Sequence, residues 1–142
     1  MAKKLFIAVS TGQNVANVIP ILQFAQSGDI VIWVETALAK KNQWRSGVDT
    51  ILKSHKLIIG HSIDVTDLND SEALSSLLLP VLEYHRSNIS QYYVLANGGY
   101  KFTPLGLSKS FLDAKIENAH FLYISDRPVK LAKMRMDGTK LT

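Results

Sequence analysis

The chain has 142 residues, is 46% apolar and carries a net charge of +4, which fits one folded domain and not a disordered segment. It has no cysteine, so disulfides, thiolate metal ligands and a cysteine nucleophile are excluded. "MAKKLFIAVSTG" turns polar too early for a signal peptide, and no run approaches the roughly 18 apolar residues of a membrane span, so the expectation is a cytoplasmic protein whose mild positive charge suits an anionic ligand.

Five short apolar runs read as buried strands. They are Leu5 to Val9, Ile30 to Val34, Leu57 to Ile59, Tyr92 to Ala96 and Phe121 to Ile124. Helical patterns lie between them. The first falls between Gly12 and Gly28, where Pro20 argues for a late start with Asn17 near the cap. The second sets Trp44, Val48, Ile51 and Leu52 on one face, and this spacing assigns Trp44, like Trp33, to the core. The third carries Leu74, Leu77, Leu78, Val81 and Leu82, with Ser71 as N-cap and a kink expected at Pro80. The fourth starts at Thr103-Pro104, since proline is welcome in a first turn, and runs to about Lys115.

The alternation implies a Rossmann-like three-layer α/β sandwich with a parallel sheet and right-handed crossovers. The expected strand order is 3-2-1-4-5, with flavodoxin-like 2-1-3-4-5 as the alternative. Residues 1–142 read as one domain. In residues 126–142, "VKLAKMRMDGTKLT" reads as one more strand and an Asp137-Gly138 hairpin turn. That segment is expected to be a terminal antiparallel hairpin, or a linker toward an effector domain beyond it.

In the 3-2-1-4-5 order the sheet changes direction between the first and fourth strands, and ligands bind outside the carboxyl ends there. The loops at that point are "STGQN" (Ser10, Thr11, Gly12, Gln13, Asn14) and "NGGYK" (Asn97, Gly98, Gly99, Tyr100, Lys101). Gly98-Gly99 can present successive N–H groups to an anion, the next helix adds its positive end, and Lys101 adds a full charge. Ser10, Thr11, Gln13 and Asn14 offer neutral donors and acceptors for sugar, phosphate or base. The plain alternative is that Ser10 and Thr11 cap a helix and the glycines only turn the chain.

Other sites are missing. There is no P-loop motif and no dinucleotide fingerprint, although Glu35 stands where a ribose-binding acid would be. His55, His61, His85 and His120 lack metal-ligand spacing, and His61, Asp64 and Asp67 gather only on paper. No G-x-S-x-G context marks a serine nucleophile. No metal or cofactor is expected.

"IAVSTGQNVANV" and "VLANGGYKFTPLGL" together resemble the CARF (CRISPR-associated Rossmann fold) domains of type III CRISPR ancillary proteins. The matching positions are Ser10, Gln13 and Asn17, then Gly98, Gly99 and Lys101. Tyr100 departs from the pattern, where a small hydroxyl residue is frequent. The resemblance implies a sensor of cyclic oligoadenylate, tetra- or hexa-adenylate first, in antiviral signalling. It further implies a homodimer that holds the ring across its two-fold axis and controls an effector domain, with no membrane or DNA as partner. Lys101 and the Gly98-Gly99 amides take phosphates, while Ser10, Thr11 and Gln13 read ribose and adenine edges. Tyr100 stacks on a base, and His61 and Ser62 line the rim. The enzymatic alternative is a slow, metal-independent ring nuclease using Ser10, Thr11 and Lys101, which leaves linear products with a 2′,3′-cyclic phosphate.

Overall fold

The computed structural model describes residues 3–96, 103–126, 129–135 and 140–141. Their elements run β1 (Lys3–Val9), α1 (Val15–Phe24), β2 (Ile30–Glu35), α2 (Ala37–Lys41), α3 (Ser46–Ser54), β3 (Ile58–Ile59) and β4 (Ile63–Asp64). Then follow α4 (Ser71–His85), β5 (Ile89–Leu95), α5 (Thr103–Asp113), β6 (Ala119–Asp126), β7 (Val129–Arg135) and β8 (Lys140–Leu141).

The sheet order is β3-β2-β1-β5-β6-β7-β8, with β4 also paired to β2. Strands β1 to β6 pair in parallel. This is the expected 3-2-1-4-5 order, and the flavodoxin-like alternative falls away. The third predicted strand, Leu57 to Ile59, is β3, and after a break an unpredicted short strand, β4, also pairs with β2. Gly60 sits at the break, where an added Cβ would collide with Ile32 Cδ1. The chain passes close over Ile32 there, and Ile32 Cδ1 would have to move to admit a side chain. After β6 the sheet turns antiparallel through β7 and β8, as the hairpin reading expects. The Asp137-Gly138 turn lies outside the described residues.

Alternation along the strands builds two cores. Leu5, Ile7 and Val9 of β1, with Ile30, Ile32 and Val34 of β2, face one side, where Leu74, Leu78 and Leu82 of α4 and Leu107 and Phe111 of α5 cover them. Phe6 and Ala8, with Val31 and Trp33, face the other, under Ile21 of α1 and Leu52 of α3. Phe6 and Tyr93 stack there with ring centres 5.3 Å apart.

Helix boundaries differ from the sequence expectations in local ways. α1 begins at Val15, before Asn17, because the Asn14 carbonyl accepts from the N–H groups of Asn17 and Val18, both at 3.0 Å. Pro20 is held inside α1 and forgoes its bond to Ala16. α4 is capped by Asp70, not Ser71: Asp70 Oδ1 accepts from Ala73 N–H at 3.0 Å. The helix continues through Pro80 to His85.

Candidate functional site

The carboxyl ends of β1, β2 and β4 open into a cleft of about 280 Å³. β1 contributes Ser10, Thr11 and Gly12. β2 leads into Thr36 and Leu38, and β4 into Thr66, Asp67 and Leu68. Trp44, from the turn between α2 and α3, completes the wall. Short hydroxyl side chains dominate, and Asp67 is the one ionisable group among the described lining residues.

The turn after β1 is held by amides. Asn14, which is buried, accepts from the Thr11 N–H at 2.8 Å and donates to Ser10 Oγ at 3.2 Å and to the Trp44 carbonyl at 3.1 Å. Asn17, also buried, donates to the Val9 carbonyl at 2.9 Å and to Asn14 Oδ1 at 3.1 Å. The network uses no charge, yet it ties the end of β1, the start of α1 and the α2–α3 turn together. Thr11 Oγ1 accepts from the Gln13 N–H at 3.1 Å and keeps its remaining hydrogen-bonding capacity toward the cleft.

The loop after β4 is an Asx turn, in which Asp67 Oδ1 accepts from the Asn69 N–H at 2.9 Å. Thr103, the first residue of α5, is buried and donates to the Leu68 carbonyl at 3.2 Å. The Ala96 N–H, just past β5, donates to the Leu122 carbonyl at 2.7 Å. Chain positions 96 and 103 are thus anchored, the first at the sheet top and the second against a residue of the cleft.

The segment after β2 is charged. Glu35 is buried and pairs with Arg45 Nε at 3.2 Å, and Arg45 also reaches Asp49 at 3.6 Å. Asp49 accepts from Trp33 Nε1 at 2.7 Å. These groups face a separate hollow of about 410 Å³, which Ser62 also lines.

Comparison with solved structures places this geometry. Can2 from Sulfobacillus thermosulfidooxidans, in complex with cyclic tetra-adenylate, matches 97% of the chain with a TM-score of 0.70 at 16% identity. Protein VC1899 from Vibrio cholerae matches 97% with a TM-score of 0.69 at 10% identity. A type III CRISPR defence DNA nuclease activated by cyclic oligoadenylate matches 99% with a TM-score of 0.69 at 17% identity. The chain has the fold of these proteins. It spans 36%, 35% and 21% of their lengths, in that order. No protein-family model matches the sequence, and no curated protein does.

On this frame, Ser10, Thr11 and Gly12 come together in the cleft. Gln13 is exposed beside it, and Asn14 is buried behind it as the hub of the turn. Asn97, Gly98, Gly99, Tyr100 and Lys101 lie outside the described residues. His61 is not in the cleft but lines a hollow between β3 and α4 with Tyr84 and His85, and Ser62 faces the charged hollow. Glu35 is occupied by Arg45. Asp64 pairs with Lys40 at 2.5 Å, and among the described residues no three of His, Asp and Glu gather as a metal site. Sequence reasoning missed Thr36, Thr66, Asp67 and above all Trp44. Trp44 is half-buried at the cleft and not in the core. Its signal was present in the polar "NQWR", which lies between α2 and α3. No helix among the described residues is long and apolar enough to cross a membrane.

Proposed function

We propose that this domain is a sensor of cyclic oligoadenylate. The carrying observation is the hydroxyl-lined cleft at the carboxyl ends of β1, β2 and β4, on a fold shared over 97% of the chain with a protein bound to cyclic tetra-adenylate. Thr11, Gly12 and Gln13 are the outward groups of the first loop and would meet ribose and base. Gly98, Gly99 and Lys101 follow β5, the strand beside β1, and would cradle phosphates. Lys101, the one charged residue of the loops "STGQN" and "NGGYK", would carry the electrostatic part of binding. A ring with internal two-fold symmetry fits an isologous homodimer, each protomer holding half. Binding would then act on an effector domain through differential affinity for two dimer states.

Ring cleavage would use the same groups. The ribose 2′-oxygen attacks the adjacent phosphorus, the bond to the 5′-oxygen breaks, and that oxygen leaves as a hydroxyl. Ser10 is buried and bonded to Asn14, which leaves Thr11 as the loop hydroxyl able to orient the attack.

Calorimetry with cyclic tri-, tetra- and hexa-adenylate, followed by chromatography of the incubated rings, tests both. Tight binding without products supports the sensor. Linear products ending in a 2′,3′-cyclic phosphate support the nuclease. No heat with any ring removes both. Lys101→Ala should abolish tight binding, and unchanged affinity would remove the phosphate cradle.

A further inference from the structure

The loop after β1 rests on an aromatic ring. From the point where a Cβ on Gly12 would stand, Trp44 Cε2 is 3.8 Å away, and Cζ2 and Nε1 are each 4.0 Å away. Cε2 is bonded to both other atoms and is the nearest of the three. A point beside the ring edge would lie closer to Nε1 or Cζ2, so Gly12 stands over the face of the indole. The backbone of Trp44 is held at both ends. Its carbonyl accepts from Asn14, its N–H donates to the Ala39 carbonyl at 3.2 Å, and its neighbour Arg45 is held by Glu35 and Asp49. Yet Trp44 is not fully buried, and it is the one aromatic among the described residues that line the cleft.

We infer that Trp44 is a specificity-determining residue of this cleft, and that a purine base packs against the part of its indole left exposed beside Gly12. The inference rests on the sensor reading. Base-on-aromatic packing favours the larger purine surface, and a residue whose backbone is already held loses less entropy when the base arrives. Arg45, Glu35 and Asn14 act through Trp44 as positioning residues.

The two tryptophans make the test direct. Trp33 is fully buried with its indole N–H donated to Asp49, so its emission is a constant background. Titration of the ring that binds tightest in calorimetry should quench wild-type emission, and W44F should lose that quench. W44L should weaken binding about tenfold, with W44F losing less. A purely supporting role for Trp44 predicts no wild-type quench on binding and, in any variant that melts like wild type, unchanged affinity. Either result overturns the inference while leaving the sensor reading intact. If no ring binds the wild type, the sensor reading falls and this role falls with it.

Discussion

The turn after β1, Ser10 to Asn17, is held by neutral amides and hydroxyls, whereas the segment after β2, Glu35 to Asp49, is held by ion pairs. Both border the same cleft. The neutral turn buries two asparagines without desolvating any charge, and its outer face carries no carboxylate toward an anionic ligand. The charged segment keeps Glu35 and Asp49 turned to a separate hollow, neutralised by Arg45. Hydrogen bonds therefore shape the ligand side, and charges brace it from behind. Trp44 is the joint between the two, since Asn14 bonds its carbonyl and Arg45 follows it in the chain.

The largest break should come from the charged side. Arg45→Met leaves the Glu35 carboxylate, 4% exposed, without a cation. The expected loss is about 3 kcal/mol in urea unfolding, and adding Glu35→Leu should recover much of it. A loss below about 1 kcal/mol would mean that water reaches Glu35 well enough to replace the pair. Asn14→Ala comes next. It strands the Thr11 N–H and the Trp44 carbonyl, for about 2 kcal/mol. Asn14→Asp should not rescue it, because the lost amide donor is what holds Ser10 and Trp44. Full stability in Asn14→Asp would show that the acceptor alone organises the turn.

These two segments also mark where the sequence was legible. Strands rich in Val and Ile declared themselves, because a strand covered on both faces needs an unbroken apolar run, and β1, β2 and β5 supply one. Strand order followed from topology, but the described cleft opens on the β2 side of β1, whereas topology pointed to the crevice between β1 and β5, whose second loop lies outside the described residues. The turns were harder, since neighbouring polar residues compete for one role. Asn14 and Asn17 are both good caps, and Pro20 argued for the later one. The backbone of Asn14 made the decision, and Asn17 went to the Val9 carbonyl. Trp44 has helical spacing with Val48, Ile51 and Leu52, but Gln43 adopts a left-handed φ of 50° and the helix starts only at Ser46. The ring is thereby swung off the α3 face and under Gly12. α2 is a five-residue helix capped by Thr36, too short for periodicity to reveal.

Neither segment contains a histidine, so pH dependence near neutrality should report a third place. His85 lies on α4 in the hollow with His61, edge-on to Tyr84, and burial lowers its pKa from the ordinary 6.5. The folded state then binds this proton less readily than the unfolded chain. His85's effect is negligible above pH 6.5, and stability falls as pH drops through that value toward the lower folded pKa. Melting temperatures from pH 7.5 to 5.5 should decline slightly, and His85→Gln should flatten that part of the curve. An equal decline in His85→Gln would move the titrating group elsewhere and leave the comparison of the two segments unchanged.

The smallest effect on stability should come where the segments touch. Gly12→Ala places a methyl 3.8 Å above the Trp44 ring, an ordinary van der Waals distance, at a backbone angle open to alanine. Unfolding free energy should stay within about 0.5 kcal/mol of wild type. Ring affinity should nevertheless fall, because the methyl narrows the cleft beside the exposed part of the indole. Unchanged stability with weaker binding would separate the ligand role of this contact from its supporting role. A stability loss above about 1 kcal/mol would instead show that the turn cannot rise over the indole, and that Trp44 holds the neutral segment more tightly than its hydrogen bonds to Asn14 require.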